Sequence, residues 1–552
     1  MILDEAKFPF PTIREQQREV IEELNKIPDD KKYILLQCGT GTGKSALAVG
    51  MSNTIGPSFI LTTTKQLQDQ YDKDFSKTSF CHIKGKANYP CSFMDDLVMC
   101  DAGPCIADSK QIYKCGDRCE YYKIKEKAKN SNIICTNYAY FFTNCGNQDF
   151  MSKRPLMVFD EAHNLESQLV AFAELDFNLE TLIKKFFDEK DASSFDSLLA
   201  DIENLNTDDE YHNWLSKVYT FVIKPKYEEI ECAISELIGQ GFNLVGNGQV
   251  HELRKLKEKS RILDNYITKF HYIEDHSNNR WLYSKYSVGD SQYKNIKATP
   301  LDAGNIFKEF VSCFADRFVF MSATLLDLNS FADSLGLDRN KCAFINFDSP
   351  FPADNAPIIP MNCLDLKYNP KGLDDDQKIE LIKLIKKISL AYPDKKGIIH
   401  TGNKQITKIL YDIYKDNPRF LFRIDNVTNQ DIYEKHLKSH APTILVSSSM
   451  IDGVDLYGDL SKFQVIIKLP FLSLGDKRVA LKTKLYDGWY LTQTWMRLIQ
   501  SSGRSIRSET DTADTYILDK AWGWSLKQAK DRGILPKQFL DRIGKNPHIK
   551  FL

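Results

Sequence analysis

The chain lacks any apolar run long enough to cross a membrane. No stretch of about 18 consecutive apolar residues occurs among its 552 residues, and a helix needs about 20 to span a bilayer. Its first residues, MILDEAKFPFP, carry acids where a secretory signal would carry basic residues before a longer apolar segment. We therefore expect an intracellular protein, cytoplasmic or associated with a nucleoid or nucleus, and neither a membrane protein nor a secreted one.

The sequence also lacks an excess of one charge. It has 73 basic and 74 acidic residues, for a formal net charge of −1. Overall charge therefore gives no sign of nucleic-acid binding, and any basic groove has to come from local arrangement. The chain is too long to fold around a single hydrophobic core, and its length suggests about three or four domains.

Cysteine is abundant but unevenly distributed. Six of the 13 cysteines fall between Cys81 and Cys119, which favours a metal site over a disulfide framework. Thiolates on Gly and Pro turns can hold an iron–sulfur cluster, and zinc accepts the same sulfurs, so the spacing leaves both open. We expect Cys81 to be an ordinary buried thiol. The favoured ligands are Cys91, Cys100, Cys105 and Cys119, with Cys115 as the alternate.

A phosphate-binding loop lies between residues 35 and 49, in the run LLQCGTGTGKSALAV. Its glycines let backbone N–H groups close around a triphosphate, at the N-terminus of the helix that follows. Lys44 would reach the β and γ phosphates, and Ser45 would complete the shell of a Mg²⁺ ion. Cys38 replaces the usual first glycine. The residues expected to bind nucleotide here are Gly39, Thr40, Gly41, Thr42, Gly43, Lys44 and Ser45.

Two acids end a second apolar strand, in the run PLMVFDEAHN. Acids at the end of a buried strand are unfavourable unless a cation uses them. Asp160 would hold Mg²⁺, and Glu161 would activate the water that attacks the γ phosphate. His163 would sense that phosphate. Upstream, Arg14 and Gln17 are three residues apart near a helix start, where they either contact an adenine ring or belong to a solvated face.

The chain between residues 166 and 299 has a different pattern. Acids outnumber bases 16 to 6 from Glu174 to Glu236, whereas Arg254 to Lys297 has 10 bases and 5 acids. Periodic apolar residues predict a mostly helical insertion. After it, Ser322 and Thr324 follow another strand and would couple the nucleotide site to a second lobe. The prolines between Phe347 and Pro352 mark a linker.

A second α/β pattern follows, without a second phosphate-binding loop. Its candidate functional residues are Asp452 and Asp455 in the run DGVD, and a late helix in the run LIQSSGRSIR. Arg504 and Arg507 are three residues apart, so we expect them to share one helix face and to reach one phosphate. An arginine supplied across an interface neutralises transition-state charge.

Taken in order, CGTGTGKS, the cysteine insertion, DEAH, SAT, DGVD and QSSGRSIR resemble the iron–sulfur-containing XPD/DinG family of superfamily 2 DNA helicases. The resemblance implies an α/β fold with two RecA-like motor domains of parallel sheets flanked by helices. It implies a first motor domain of residues 1–80, 130–165 and 300–340, a cluster domain of residues 81–129, a helical arch domain of residues 166–299 and a second motor domain of residues 345–552.

The resemblance also implies roles for single residues. ATP and Mg²⁺ would bind between the lobes, with Gln500, Arg504 and Arg507 supplied by the second lobe and Asp455 near the nucleotide. Arg14 and Gln17 match the family's early nucleotide-contacting motif. Asp452 replaces the usual glutamate. The stretches expected near DNA contain Thr62, Thr64, Lys65, Asn137 and Tyr138.

The expected function is ATP-dependent unwinding of DNA by a monomeric motor. By resemblance, it moves 5′ to 3′ on single-stranded DNA and splits forked duplex at the domain that carries a [4Fe–4S] cluster. Two alternatives remain: a translocase or protein-displacing remodeller that unwinds weakly, and a metal-stabilised nucleic-acid-binding module with a vestigial ATPase. Unwinding assays and the variant Lys44→Ala separate them.

Overall fold

The computed structural model of the chain describes most of its residues. The described residues are 1–76, 80–92, 99–103, 105, 118–146, 150–239, 247–276, 280–287, 295–367, 369, 372–423, 429–448, 456 and 458–549. Cys115, Asp452 and Asp455 lie outside these ranges.

The strands and helices of the described residues alternate over much of the chain. The strands are β1 (Tyr33–Cys38), β2 (Ser58–Thr62), β3 (Phe80–His82), β4 (Ile133–Asn137), β5 (Arg154–Asp160), β6 (Leu175–Asn178), β7 (Trp281–Tyr286), β8 (Asn295–Pro300), β9 (Ala315–Ser322), β10 (Cys342–Phe347), β11 (Ile358–Leu364), β12 (Gly397–His400), β13 (Phe420–Phe422), β14 (Ile444–Ser447), β15 (Phe463–Ile466) and β16 (Asp514–Asp519). The α-helices are α1 (Glu15–Asn25), α2 (Lys44–Ile55), α3 (Lys65–Phe75), α4 (Glu120–Lys129), α5 (Tyr138–Asn144), α6 (Leu165–Ala173), α7 (Leu179–Phe186), α8 (Glu189–Ala192), α9 (Asp196–Asp201), α10 (Asp208–Val218), α11 (Lys224–Gly239), α12 (Asn247–Asp275), α13 (Gly304–Phe310), α14 (Leu328–Ser334), α15 (Asp375–Ala391), α16 (Lys404–Tyr414), α17 (Asn429–Lys438), α18 (Lys477–Leu485), α19 (Trp489–Ser502), α20 (Ala521–Asp531) and α21 (Lys537–Asp541).

The first sheet is parallel and has the strand order β10-β1-β9-β5-β2-β4-β3. Its inner strands are apolar and buried on both faces, as expected when helices cover both sides of a parallel sheet. Leu35 of β1, for example, pairs with Phe344 on one side and Phe320 on the other. Parallel strands end at a common edge, so the ends of β1, β5 and β9 bring three polar segments together.

The second sheet is also parallel, with the order β11-β16-β15-β12-β14-β13. Its central strands are fully buried, and Tyr392, Phe463 and Tyr516 form part of the core beneath α15. The expected pair of RecA-like sheets flanked by helices is therefore present.

The chain between residues 166 and 299 is mostly helical, with α11 packed against α12. It also contains a sheet that the sequence analysis did not foresee, in which β6 and β7 pair antiparallel with the two edges of β8. Alternation in short strands such as LDFN is too brief to stand out beside long helical periods. Among the described residues, no helix has the length and apolar character needed for a membrane span.

Candidate functional site

The glycine-rich run forms the turn between β1 and α2. Gly41 and Gly43 have φ angles of 92° and 79°, a left-handed conformation that residues with a Cβ rarely adopt. Lys44, the first residue of α2, places its Nζ 3.3 Å from the carbonyl oxygen of Cys38. The turn therefore folds back under the Lys44 ammonium at a helix N-terminus, the arrangement that binds phosphate in other proteins.

Arg14 and Gln17 both contact this turn, Arg14 from an exposed position and Gln17 from a buried one. Arg14 precedes α1, and its backbone N–H donates to Gln17 Oε1 at 3.1 Å. Arg14 Nη1 donates to the carbonyl of Gly41 at 3.1 Å. Gln17 is buried, and its side chain packs on Gly43: a Cβ added to Gly43 would lie 2.2 Å from Gln17 Nε2. Both side chains border the space above the glycine turn.

Asp160 is the last residue of β5. In the sheet, β9 lies between β5 and β1, the strand that leads into the glycine turn. The Tyr71 hydroxyl on α3 donates to Asp160 Oδ2 at 2.8 Å, and the backbone N–H of Glu161 donates to Oδ1 at 2.9 Å. Tyr71 also contacts the Ser45 hydroxyl. One phenol therefore bridges both predicted magnesium ligands. The sequence analysis missed Tyr71, because a tyrosine in an amphipathic helix gives no sign of a polar contact.

The two neighbouring carboxyl groups have opposite pKa shifts. Burial, together with the charge of Glu161, raises the pKa of Asp160 against the opposing effect of Lys44. Burial would also raise the pKa of Glu161, but a hydrogen bond from His163 and the charges of His163, Lys44 and Arg507 hold it below its usual range. Glu161 is therefore the carboxylate that stays ionised, whereas Asp160 takes up a proton more easily.

A hydrogen-bonded chain leads from the acids to the second half of the protein. Glu161 Oε2 lies 3.2 Å from His163 Nδ1, which is 2.8 Å from Ser322 Oγ. The N–H of Thr324 donates to Ser322 Oγ at 3.1 Å, and Gln500 Nε2 donates to Thr324 Oγ1 at 2.7 Å. This last contact joins the SAT segment to α19 in the second half of the chain, and the coupling expected of Ser322 and Thr324 stays a prediction.

Arg504 and Arg507 lie beyond the end of α19. The expectation that they share one helix face is wrong, because the helix ends before Gly503 and the arginines follow in a turn. Arg507 is close enough to Glu161 to lower the pKa of that carboxyl. Arg504 lies beside His400, whose pKa is lowered to about 3 by burial and by this guanidinium. Arg507 thus acts across to the acids of the first sheet, whereas Arg504 packs against the second.

The turn that carries the arginines, residues 503–513, is termed the arginine loop. Asp511 Oδ2 accepts the backbone N–H groups of Arg507 and Ser508, both at 2.8 Å. Its Oδ1 accepts the N–H of Gly458 at 3.1 Å. Asp511, another residue missed from sequence, therefore fixes the backbone from which the Arg507 side chain extends.

The side chains at the ends of β2 and β4 are largely engaged within the protein. Thr64 caps α3 and Asn137 caps α5. Tyr138 is 1% exposed, and its hydroxyl donates to the carbonyl of Asp160 at 2.9 Å. Tyr138 therefore supports the acid strand and offers no free ring to a nucleic acid, whereas Lys65 is exposed.

The four favoured cysteines are buried neighbours. A Cβ on Gly103 would lie 3.0 Å from Cys91 Sγ and 3.8 Å from Cys105 Sγ. Burial and the nearby thiols of Cys119, Cys91 and Cys105 raise the pKa of Cys100 to about 12. Within the described ranges, no group of three or more His, Cys, Asp or Glu side chains is arranged closely enough to hold a metal ion. Four neighbouring sulfurs are nevertheless a donor set that suits an iron–sulfur cluster or zinc.

A buried ion cluster joins the two halves of the chain close to the acids. Glu166 lies on α6, directly after the DEAH run, and pairs through Oε1 with Arg478 and Lys482 of α18. The Lys482 side chain is 2% exposed, and its ammonium lies 4.9 Å from the ring centroid of Trp489. Burial would raise the pKa of Glu166, but the two cations lower it, whereas burial lowers the pKa of Lys482.

Comparisons with known proteins find helicases among the relatives of this chain. The family model for the helicase C-terminal domain matches residues 393–533, and that for the res subunit of type III restriction enzymes matches residues 10–191. A probable ATP-dependent helicase of Methanocaldococcus jannaschii is 24% identical, over 97% of this chain and 95% of that protein. The ATP-dependent DNA helicase YoaA of Escherichia coli is 20% identical, over 92% of this chain and 91% of that protein.

A solved XPD helicase structure has the same fold. It superposes with a TM-score of 0.65 at 13% identity, over 95% of this chain and 98% of that one. Two helicase-related family matches, relatives aligned over nearly their full length and a shared architecture lead to one assignment. Together these matches support an XPD/DinG-type superfamily 2 helicase, and the relatives are named ATP-dependent helicases.

Proposed function

We propose that this protein is an ATP-dependent DNA helicase that moves 5′ to 3′ along single-stranded DNA and separates duplex at its cysteine-rich domain. The observation that carries the proposal is the meeting of the two halves of the chain at one acid pair. Glu161 is approached by His163 from its own sheet and by Arg507 from the other half, while Thr324 and Gln500 are hydrogen-bonded across the same boundary.

Each residue of this site has a role in ATP hydrolysis. Lys44 balances the charge of the β and γ phosphates, and Ser45 and Asp160 would hold Mg²⁺, which would offset phosphate charge. Glu161, kept ionised by its cationic neighbours, accepts the proton of the attacking water. Arg507 supplies positive charge from the second lobe as charge develops on the transferred phosphoryl group. On the same side of the site, Arg504 would add a second guanidinium and Gln500 an uncharged amide donor. The nucleotide-contacting residues that we propose, besides Asp455, are Arg14, Gln17, Gly39, Thr40, Gly41, Thr42 and Gly43.

Because the bound triphosphate would bridge the two lobes, hydrolysis removes the bridge and lets them separate. If each lobe holds the DNA backbone in turn, this cycle becomes a step along the strand. Separating a base pair costs roughly 1.4 kcal/mol of stacking energy per step, which ATP hydrolysis can supply. The DNA contacts are expected to be mostly to the backbone, with little sequence preference and strong salt dependence.

The division of the chain follows the same proposal. We propose a first motor domain of residues 1–80, 130–165 and 300–340, a cluster domain of residues 81–129, an arch domain of residues 166–299 and a second motor domain of residues 345–552. Next to the cysteines, the Lys86 ammonium lies 5.4 Å from the ring centroids of both Tyr121 and Tyr122. Tyr121 is buried but Tyr122 is part-exposed, and positive charge beside an accessible ring suits contact with single-stranded DNA.

Cys91, Cys100, Cys105 and Cys119 would hold a [4Fe–4S] cluster that cross-links this loop-rich domain. The test is iron content and visible absorbance of anaerobically purified protein, compared with Cys100→Ser and with Cys313→Ser, an exposed cysteine. We expect iron in the wild type and in Cys313→Ser, and its loss in Cys100→Ser. Stoichiometric zinc in a colourless, active protein would contradict the cluster.

Unwinding of a forked duplex tests the motor proposal. With ATP, the wild type should separate duplexes that carry a 5′ single-stranded tail and leave those with only a 3′ tail intact. Lys44→Ala should bind the fork with unchanged affinity but hydrolyse no ATP. ATP turnover stimulated by single strands without strand separation would favour a translocase, and unchanged turnover in Lys44→Ala would refute the ATPase assignment.

A further inference from the structure

The segment that joins the two sheets lies in the site itself. Residues 348–356 run from the end of β10 to the start of β11, and the sequence predicted little more than a stiff linker there. In the structure they pass between the glycine turn of the first sheet and the arginine loop of the second. We term residues 348–356 the bridging segment.

On one side, the bridging segment is fixed to the glycine turn. The N–H of Gly39 donates to the carbonyl of Phe347 at 3.0 Å, and Ser349 Oγ donates to the carbonyl of Thr40 at 2.6 Å. A Cβ on Gly39 would lie 2.3 Å from the backbone nitrogen of Ser349. The two backbones are therefore in direct contact, and the first glycine of the turn allows this close approach.

Phe351 continues the contact from the glycine turn to the arginine loop. A Cβ on Gly41 would lie 2.2 Å from the Phe351 ring, so the ring packs directly on the turn. The ring is 8% exposed and forms an apolar cluster with Ala356, Ile506 and Ala513. Ile506 stands between the two arginines in sequence. One aromatic ring thus lies against the phosphate-binding turn and in one apolar cluster with Ile506 and Ala513 of the arginine loop.

Hydrogen bonds fix the bridging segment on the second side as well. Asn355 Nδ2 donates to the carbonyl of Glu509 at 2.6 Å, and the N–H of Ala513 donates to the carbonyl of Asn355 at 3.0 Å. Arg542, which is buried, donates through Nε to the carbonyl of Ala356 at 2.7 Å and through Nη2 to the last carbonyl of α19 at 3.1 Å. The bridging segment is therefore bonded to the arginine loop by groups that are independent of any nucleotide.

From these contacts we infer that Phe351 and Ser349 are positioning residues of the ATPase site. They set the distance between the glycine turn and the arginine loop, so that movement of the turn is transmitted to Arg507 by direct packing as well as through the bound triphosphate. This inference depends on the proposed role of Arg507 in hydrolysis. It does not depend on DNA unwinding.

The physical basis is the density of the contact. Packed side chains transmit small displacements because the interior has few voids into which a neighbour can relax. Without the Phe351 ring, the glycine turn and Ile506 no longer pack on one side chain, and the turn is joined to the arginine loop only through the backbone and hydrogen bonds of the bridging segment. Displacement of a catalytic group by about 1 Å lowers the rate by up to about 100-fold.

A set of ATPase measurements on the full chain tests this inference. Phe351→Ala is compared with Phe422→Ala, which truncates an equally buried phenylalanine at 9% exposure in strand β13, away from the site. Each is made with and without Arg507→Ala, and kcat and KM for ATP are measured. Phe351→Leu and Ser349→Ala complete the set, since the first keeps an apolar contact and the second removes only one hydrogen bond.

We expect Phe351→Ala to lower kcat by about 10- to 100-fold, Phe351→Leu to recover most of it, and Phe422→Ala to leave it unchanged. Arg507→Ala should then have little further effect in the Phe351→Ala background but its full effect in the Phe422→Ala background. Ser349→Ala should raise KM about fivefold. Additive losses from Phe351→Ala and Arg507→Ala would overturn the positioning role. An unchanged kcat in Arg507→Ala alone would overturn the proposed arginine function and the positioning role with it.

Discussion

Removal of the Glu166 charge is expected to weaken closure of the second lobe onto the first half of the chain, because Glu166 lies where the proposed first motor and arch domains join. Among the described residues, Glu166 is the acid that pairs directly with Arg478 and Lys482, and Asp302 also raises the pKa of Lys482 without pairing with it. In Glu166→Gln the two cations lose their paired counter-charge whenever α18 packs on α6. When the lobes separate, water solvates both cations, so the penalty applies chiefly to the closed arrangement.

The size of the effect follows from the burial of the three groups. Removing one partner of a buried ion pair costs about 3–5 kcal/mol. The Lys482 side chain is 2% exposed but that of Arg478 is 15% exposed, so water partly hydrates one cation and the lower end applies. About 3 kcal/mol corresponds to a shift of roughly 100-fold in the closure equilibrium, at about 1.4 kcal/mol for each factor of ten.

The assay is fluorescence energy transfer between dyes on the two lobes, together with KM for ATP. Glu166→Gln should lower the closed fraction and raise KM, and adding Lys482→Met should recover part of both because it removes the buried cation left behind. Glu229→Gln is the control, since it breaks a pair with Lys226 in which the acid is 66% exposed, worth about 1 kcal/mol. Unchanged closure and KM in Glu166→Gln, or a double variant worse than the sum of the single ones, would refute this reasoning.

Three further predictions concern Asp160, its partner Tyr71, and Arg507. The pKa of Asp160 is raised, so as the pH falls this carboxylate is protonated at a higher pH than an ordinary aspartate. We expect kcat/KM for ATP to decline over that pH range. Tyr71 donates to this carboxylate and lowers its pKa, so Tyr71→Phe should move the acid limb of the pH–rate profile upward, and an unmoved limb would contradict the contact. Arg507→Lys keeps a positive charge but loses the planar guanidinium fork. In steady-state turnover, kcat should therefore fall at least about tenfold with little change in KM. Full activity would show that Arg507 acts only as a distant charge.

The sequence sufficed to predict the residues at the ends of the first sheet's strands. Lys44 and Asp160 can be identified from sequence because each follows an apolar run that ends in glycines or acids. Such a run indicates a phosphate or metal site by its local chemistry alone, without knowledge of distant contacts. The two parallel sheets are predicted by the alternation of buried strands with helices along the chain. The family resemblance of the motifs, taken in order, predicts them as well.

Other features required the folded chain. Arg504 and Arg507 were placed on a helix because their spacing suits one, but Gly503 ends α19 before them. Tyr71 and Phe351 carry no local signal, since each acquires its role from a partner distant in sequence, Asp160 and Ile506 respectively. Tertiary contacts of this kind are not contained in local periodicity or propensity.

The central claim is that the two halves of the chain meet around one triphosphate. A structure of the full protein bound to single-stranded DNA, Mg²⁺, ADP and a metal fluoride that mimics the transferred phosphoryl group tests it most directly. We predict that Lys44 from the first half and Arg507 from the second both contact the fluoride, with Glu161 beside the attacking water. An ADP–fluoride complex held by the first half alone, with Arg507 directed away from it, would contradict the account.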